Sequence, residues 1–324
     1  MAAGQLSQDE LDEIYAFAVD LGRKAGDLLM ERVEQRIAGG DSPQTFEEKE
    51  NAVDIVTQTD EDVEVFIHNA IQSKYPSHKF ASPPLRPRPT QLTSPSRFLG
   101  EETYAKGQSR DYLIDEQPTW CIDPLDGTVN YTHIFPMFCV SIGFIVHHRP
   151  VIGVIYAPFQ DQLFSACSGR GAWLNEKRQL PLIRNPIPPM PANAPSQCIF
   201  SCEWGKDRRD IPDGNMHRKI ESFFNMAAEI GARDGKGGHG AWGEEDVAAG
   251  IAILLEAGGL VTTANPPEDP DTAPIGDVRL GSRLYLAIRP AGPSSTETGR
   301  ESQERTVREV WRRVRHLSYS RPGA

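Results

Sequence analysis

Apolar residues recur at helical spacing from the start of the chain: Leu11, Ile14, Phe17, Ala18, Leu21, Ala25, Leu28 and Leu29 form one stripe. Steps of three and four residues mark an amphipathic helix. Ser7-Gln8-Asp9-Glu10 in front of it is a capping box, in which serine and glutamate each satisfy the other's backbone amide. A second stripe, Val63, Phe66, Ile67, Ala70 and Ile71, predicts a helix that opens at Thr59 and is ended by Pro76. The period then changes. Met137 to Val146 and Val151 to Tyr156 are apolar runs that read as strands joined by a polar turn at His147-His148-Arg149-Pro150. Leu163 to Ala166 and Gly171 to Trp173 continue a sheet, and Leu284 to Ile288 reads as a last strand. Two further helices are predicted. Asp246 to Ala257 is apolar with small residues and is closed by Gly258-Gly259. Arg300 to Leu317 is basic, with Val307, Val310, Trp311, Val314 and Leu317 as its apolar stripe, and is expected to pack on the domain or on a partner. Helices and strands interleave, which makes this an α/β chain.

A length of 324 residues suffices for one layered domain or two closely joined halves. We read 5–160 and 161–290 as the halves and 291–324 as a helical tail. The formal net charge of −11 disfavours nucleic acid, whose backbone is bound through Lys and Arg. It does not exclude an anionic substrate, since a bound metal ion can invert local charge. Five dispersed cysteines without CxxC spacing suit a reducing compartment and packing roles, with Cys121 expected in the core. No apolar run has the length of a membrane span, and the first residues lack a basic and apolar signal pattern, so we expect a cytoplasmic protein. His147 and His148 resemble a zinc pair only superficially and are read as turn residues.

One segment carries chemistry. Trp120-Cys121-Ile122-Asp123-Pro124-Leu125-Asp126-Gly127-Thr128 is an apolar run that ends in two carboxylates, a glycine and a threonine. Asp, Pro and Gly together are commonest in surface turns. Here, however, the acidic stretch lies between two apolar segments, so a turn alone does not account for it. Pro124 is expected to stop the strand and let Asp123, Asp126 and the Leu125 carbonyl converge, a hard-oxygen set that suits Mg²⁺. Gly127 permits close backbone approach, amides at a following helix start can hold an anion, and Thr128 is placed to orient a water.

These residues, together with Asp60 in Val56-Thr57-Gln58-Thr59-Asp60, the Glu101-Glu102 pair after Gly100, and Asp246-Val247-Ala248-Ala249-Gly250, make the chain resemble the inositol monophosphatase family. Members are Mg²⁺-dependent, lithium-sensitive sugar-phosphate phosphatases. The resemblance runs from about Leu11 to Ile288 and is nearest to fungal members, including those tied to quinate utilisation. It implies a layered α-β-α-β sandwich, a small phosphorylated polyol or sugar as substrate, and a second copy of the chain as the candidate protein partner. Nucleic acid and membrane are not expected as partners. It further implies that Glu101, Asp123 and the Leu125 carbonyl hold one Mg²⁺ and that Asp123, Asp126 and Asp246 hold a second. Glu101, Thr128 and Asp60 would be catalytic, with Glu102 in support. Asp126, Gly127, Thr128, Asp246 and Lys49 would meet the substrate.

Two departures interrupt the resemblance. Ala81 to Arg97 is an insert rich in Pro, Ser and Arg whose composition favours an extended loop just before Glu101. Between Ile230 and Asp246 the family carries a strand, helix and strand that line the substrate; only Gly231 to Glu245 stands here, with Glu245 in place of the motif's tryptophan. The expectation is a phosphomonoesterase. Two alternatives stay open: an impaired member acting as a binding or regulatory protein, for instance in quinate metabolism, and a phosphatase for phosphoadenosine or fructose bisphosphate.

Overall fold

The computed structural model describes residues 6–39, 46–48, 55–80, 116–201, 209–227, 248–278, 280 and 284–318. Its chain divides into two compact units, the first formed by 1–177, 248–253 and 320–324 and the second by 178–247 and 254–319.

The first unit begins with α1 (Gln8–Ile37), where Ser7 and Glu10 make the expected capping box. A short antiparallel pair, β1 (Phe46–Glu48) and β2 (Ile55–Thr57), leads directly into α2 (Gln58–Lys74). The sheet that follows runs in the order β3 (Lys79–Phe80), β4 (Thr119–Asp126), β5 (Cys139–Val146), β6 (Arg149–Ala157), β7 (Gln162–Cys167) and β8 (Gly171–Leu174). Among the described residues of this sheet, β3 and β4 pair in parallel and the pairings from β4 to β8 are an antiparallel meander. A meander needs only tight turns. That between β5 and β6 is reduced to His147 and His148, both with positive φ of 49° and 62°, so Arg149 and Pro150 belong to the strand rather than to the turn. His147 Nδ1 also meets Glu116 at 2.5 Å.

Alternation along the strands sorts side chains onto two faces. One face carries Trp120, Ile122, Val140, Ile142, Phe144, Ile152, Val154 and Tyr156, all buried beneath α1 and α2 in one hydrophobic core. Glycines let α1 lie close: a Cβ on Gly22 would sit 3.1 Å from Val154, and one on Gly26 would sit 2.4 Å from the Tyr156 ring. The other face carries small residues, among them Gly143 and Gly153, and receives the first turn of α5 (Ala248–Glu256). A Cβ on Gly153 would lie 2.2 Å from the Ala249 carbonyl oxygen, so only glycine admits this helix at its observed depth. Helices on both faces of a sheet make an α/β sandwich.

The second unit contains α4 (Asn215–Ala227), the antiparallel pair β9 (Leu260–Thr263) and β10 (Tyr285–Ile288), and α6 (Gly299–Trp311). Thr298 and Glu301 cap α6 reciprocally. The predicted stripe Val307, Val310, Trp311, Val314 and Leu317 is buried against Met226, Leu260, Leu286 and Ile288. Trp311 Nε1 donates to the Thr263 carbonyl at 2.9 Å, which satisfies its one polar atom in the core. Among the described residues, no helix is long and apolar enough to cross a membrane.

Candidate active site

β4 does not stop at Pro124, as the sequence reading expected; it continues to Asp126 through an irregularity in its pairing with β5. Asp123 stands opposite Ser141 and Asp126 opposite Cys139, so three steps on β4 match two on β5. This is a β-bulge. Proline is tolerated there because the bulged residue owes the ladder no N–H bond. The consequence is chemical. In a regular strand residues three apart point to opposite faces, whereas the extra residue makes Asp126 register as if it were two places from Asp123. Ser141 and Cys139, two apart on β5, share a face, and so do the two carboxylates opposite them.

Local bonds hold this floor. Leu125 N donates to Asp123 Oδ1 at 2.9 Å, and Leu125 itself is buried with its side chain in the core. The Cys139 thiol donates to Asp126 Oδ2 at 3.7 Å. Burial, chiefly, raises the Asp126 carboxyl above its ordinary value, against the lowering effect of the Cys139 and Gly127 donors. Asp126 as a whole residue is nevertheless exposed to solvent. The Cys139 thiol is pushed up far more, by burial first and then by the charges of Asp126 and Asp123. It therefore stays protonated, a donor to Asp126 and a poor nucleophile. Cys121, expected in the core, is half-buried and sits on the carboxylate face two residues before Asp123.

Gly127 follows with φ 86° and ψ 38°, a left-handed conformation that favours glycine. A Cβ there would come within 2.8 Å of the Met137 carbonyl oxygen. The turn launches α3 (Thr128–Thr132), whose first residue is Thr128. Thr128 Oγ1 is 3.0 Å from the Leu125 carbonyl and 3.2 Å from Asp60 Oδ1, with one proton to give to either. Asp60 lies in the first turn of α2, 8% exposed. A carboxylate is favoured at a helix N-terminus, and here it also reaches the motif.

The structure thus brings together Asp60, Asp123, Leu125, Asp126, Gly127 and Thr128. Lys49, Glu101, Glu102, Asp246, the insert 81–97 and the segment 231–245 lie outside the described residues. Among the described residues no group of three or more His, Cys, Asp or Glu side chains is placed to hold a metal ion. Cys139 was missed by sequence reasoning, because a cysteine inside the apolar run 137–146 carries no signal of the carboxylate opposite it.

The sequence matches the profile of the inositol monophosphatase family over residues 10–84 and 88–315. Protein qutG of Emericella nidulans is 67% identical, with 98% of each chain covered. The quinic acid degradation cluster protein x of Neurospora crassa is 56% identical over the whole of both chains. That alignment spans 362 positions for a chain of 324, so about 38 positions have no residue here. In three dimensions, the inositol monophosphatase from Anabaena superposes with a TM-score of 0.58 at 22% identity, covering 96% of this chain and 99% of that one, which establishes the fold.

Proposed function

The chain belongs to the inositol monophosphatase family, and on that premise we propose that it is a Mg²⁺-dependent phosphomonoesterase for a small phosphorylated polyol or sugar, inositol monophosphate foremost. The observation that carries this reading is the bulge in β4, which sets Asp123 and Asp126 on one face beside the Thr128–Asp60 hydrogen bond. Two carboxylates and a backbone carbonyl are hard oxygen donors and fit Mg²⁺ rather than a soft ion. Asp123, Asp126 and the Leu125 carbonyl would hold it, joined by Glu101 and Asp246 on the strength of the family motif. When bound, Mg²⁺ supplies Lewis-acid polarisation of the phosphoryl group and eases deprotonation of a water.

The remaining work falls to the chain's own groups. Thr128, by donating to Asp60 Oδ1, turns its lone pairs outward, where they accept from and orient an attacking water. Asp60 is the acceptor on which that proton relay ends, with Glu101 as the second candidate base. Gly127 lets the backbone and the first amides of α3 approach a phosphate oxygen, while Lys49 and Asp246 are carried over as substrate contacts. Cys139, held protonated, does not compete with the water as nucleophile.

Replacing Asp123 by asparagine tests the reading. We expect Mg²⁺-dependent phosphate release to be abolished and calorimetric Mg²⁺ binding to weaken; unchanged activity would overturn the assignment. Inositol monophosphate, phosphoadenosine phosphate and fructose bisphosphate should be compared in the same assay, with lithium expected to inhibit. A second reading, an impaired member acting in binding or regulation, is favoured by the roughly 38 alignment positions lacking here relative to a quinic acid cluster protein. Retained Mg²⁺ binding with turnover far below that of an inositol monophosphatase measured in parallel would select it. Comparable turnover would exclude it.

A further inference from the structure

We propose that Arg36 and Tyr131 are positioning residues that hold the Thr128–Asp60 pair in register, a role that rests on the phosphatase reading of that pair. The two partners come from separate elements, 68 residues apart in sequence, and meet through one 3.2 Å hydrogen bond. α3, which carries Thr128, has five residues. A helix this short cannot hold itself, and its last carbonyls need partners from elsewhere.

Arg36, in the last turn of α1, supplies them. Its Nη1 donates to the Tyr131 carbonyl at 3.0 Å and its Nη2 to the Thr132 carbonyl at 2.6 Å. The guanidinium carbon also lies 5.7 Å from the centre of the Tyr131 ring. A planar fork fixes two acceptors at once, and a cation suits a helix C-terminus. Tyr131 extends the tie to α2. It is fully buried, edge-on to Phe138 at 5.1 Å. Its hydroxyl lies 3.4 Å from the Leu29 carbonyl in α1 and 3.5 Å from Thr59 Oγ1, next to Asp60. Arg36 and Tyr131 therefore fasten the end of α3 and the start of α2 to the same stretch of α1, and the Thr128–Asp60 distance follows.

The test uses the full chain with Arg36→Ala, Arg36→Lys and Tyr131→Phe. Three measurements are made: kcat and KM on inositol monophosphate, calorimetric Mg²⁺ titration, and hydrogen exchange of the amides in 128–133. Arg36→Ala should lower kcat on the order of ten- to a hundredfold, the range a displaced catalytic group produces. Mg²⁺ affinity should stay within about twofold, and KM should rise by less than kcat falls, since the first amides of α3 also approach the phosphate. Exchange should accelerate in 128–133 and not across the unit. Arg36→Lys should recover part of kcat, because one ammonium cannot bridge both carbonyls in a plane, and Tyr131→Phe should give an intermediate loss. An unchanged kcat in Arg36→Ala, or faster exchange throughout the unit, overturns the proposal. If the wild-type chain releases no phosphate, the phosphatase reading fails by itself. The exchange measurement then still decides whether the clamp exists.

Discussion

Gly153→Ala probes the contact that seats α5 on the sheet. The added Cβ would lie 2.2 Å from the Ala249 oxygen, 2.9 Å from its carbonyl carbon and 3.0 Å from its Cα. All three are backbone atoms in the first turn of a helix, so no rotamer change relieves the clash. Restoring an ordinary carbon–oxygen separation of about 3.3 Å requires the helix to withdraw by roughly 1 Å. Forcing backbone apart in a packed layer costs about 2–4 kcal/mol. Gly250→Ala is the matched control. It lies on the same helix in ordinary helical conformation, and its nearest new neighbour would be Ile155 Cδ1 at 3.9 Å. There the same added methyl should stabilise by about 0.5–1 kcal/mol through reduced backbone entropy in the unfolded chain. Urea unfolding of both variants, with equal m values, gives the comparison. Because α5 begins two residues after Asp246, Gly153→Ala should also weaken Mg²⁺ binding if Asp246 is a ligand. A Gly153→Ala protein within about 0.5 kcal/mol of wild type, or one matched by Gly250→Ala in sign, would refute the packing argument.

Gly127→Ala combines a φ of 86° with a Cβ 2.8 Å from the Met137 oxygen; a loss of about 1–3 kcal/mol is expected, with kcat falling as Thr128 shifts, and equal stability would sink the strain argument. Burial holds His78 and His68 below their ordinary value of about 6.5, and Trp120 Nε1 donates to His78 Nδ1 at 3.2 Å, which requires the neutral ring. Since the folded values lie below the unfolded ones, their contribution is complete above about pH 6.5 and is lost as pH falls through the folded values. Urea unfolding should show that decline, and His78→Gln should reduce its slope; an identical slope would assign it elsewhere. The Arg170 hydrogen bonds, foremost, lower Asp12 to about 2. NMR titration should find it there and see it return toward about 4 in Arg170→Ala; no movement would show that the pair does not form in solution.

Much of the architecture is written in local pattern. The stripe Val63, Ile67 and Ile71 is buried as its spacing requires, the Ser7 and Glu10 capping box forms, and the apolar runs 137–146 and 151–156 become the central strands. Such features depend on neighbours three or four residues away, which a sequence displays directly. The order of the motifs likewise carried the family assignment. What the tertiary structure decided is where distant residues meet. Strict alternation would send Asp123 and Asp126 to opposite faces, and only the register of β5 against β4 creates the bulge that unites them. Pro124 looked like a stop because its missing N–H matters in a regular ladder, yet at a bulge that bond is not required. Gly153, Arg36 and Tyr131 carry no motif at all. Their roles arise from contacts between residues far apart in sequence, 72 for Tyr131 with Thr59 and 95 for Arg36 with Tyr131, and such contacts are set by how layers pack rather than by the period of any one element.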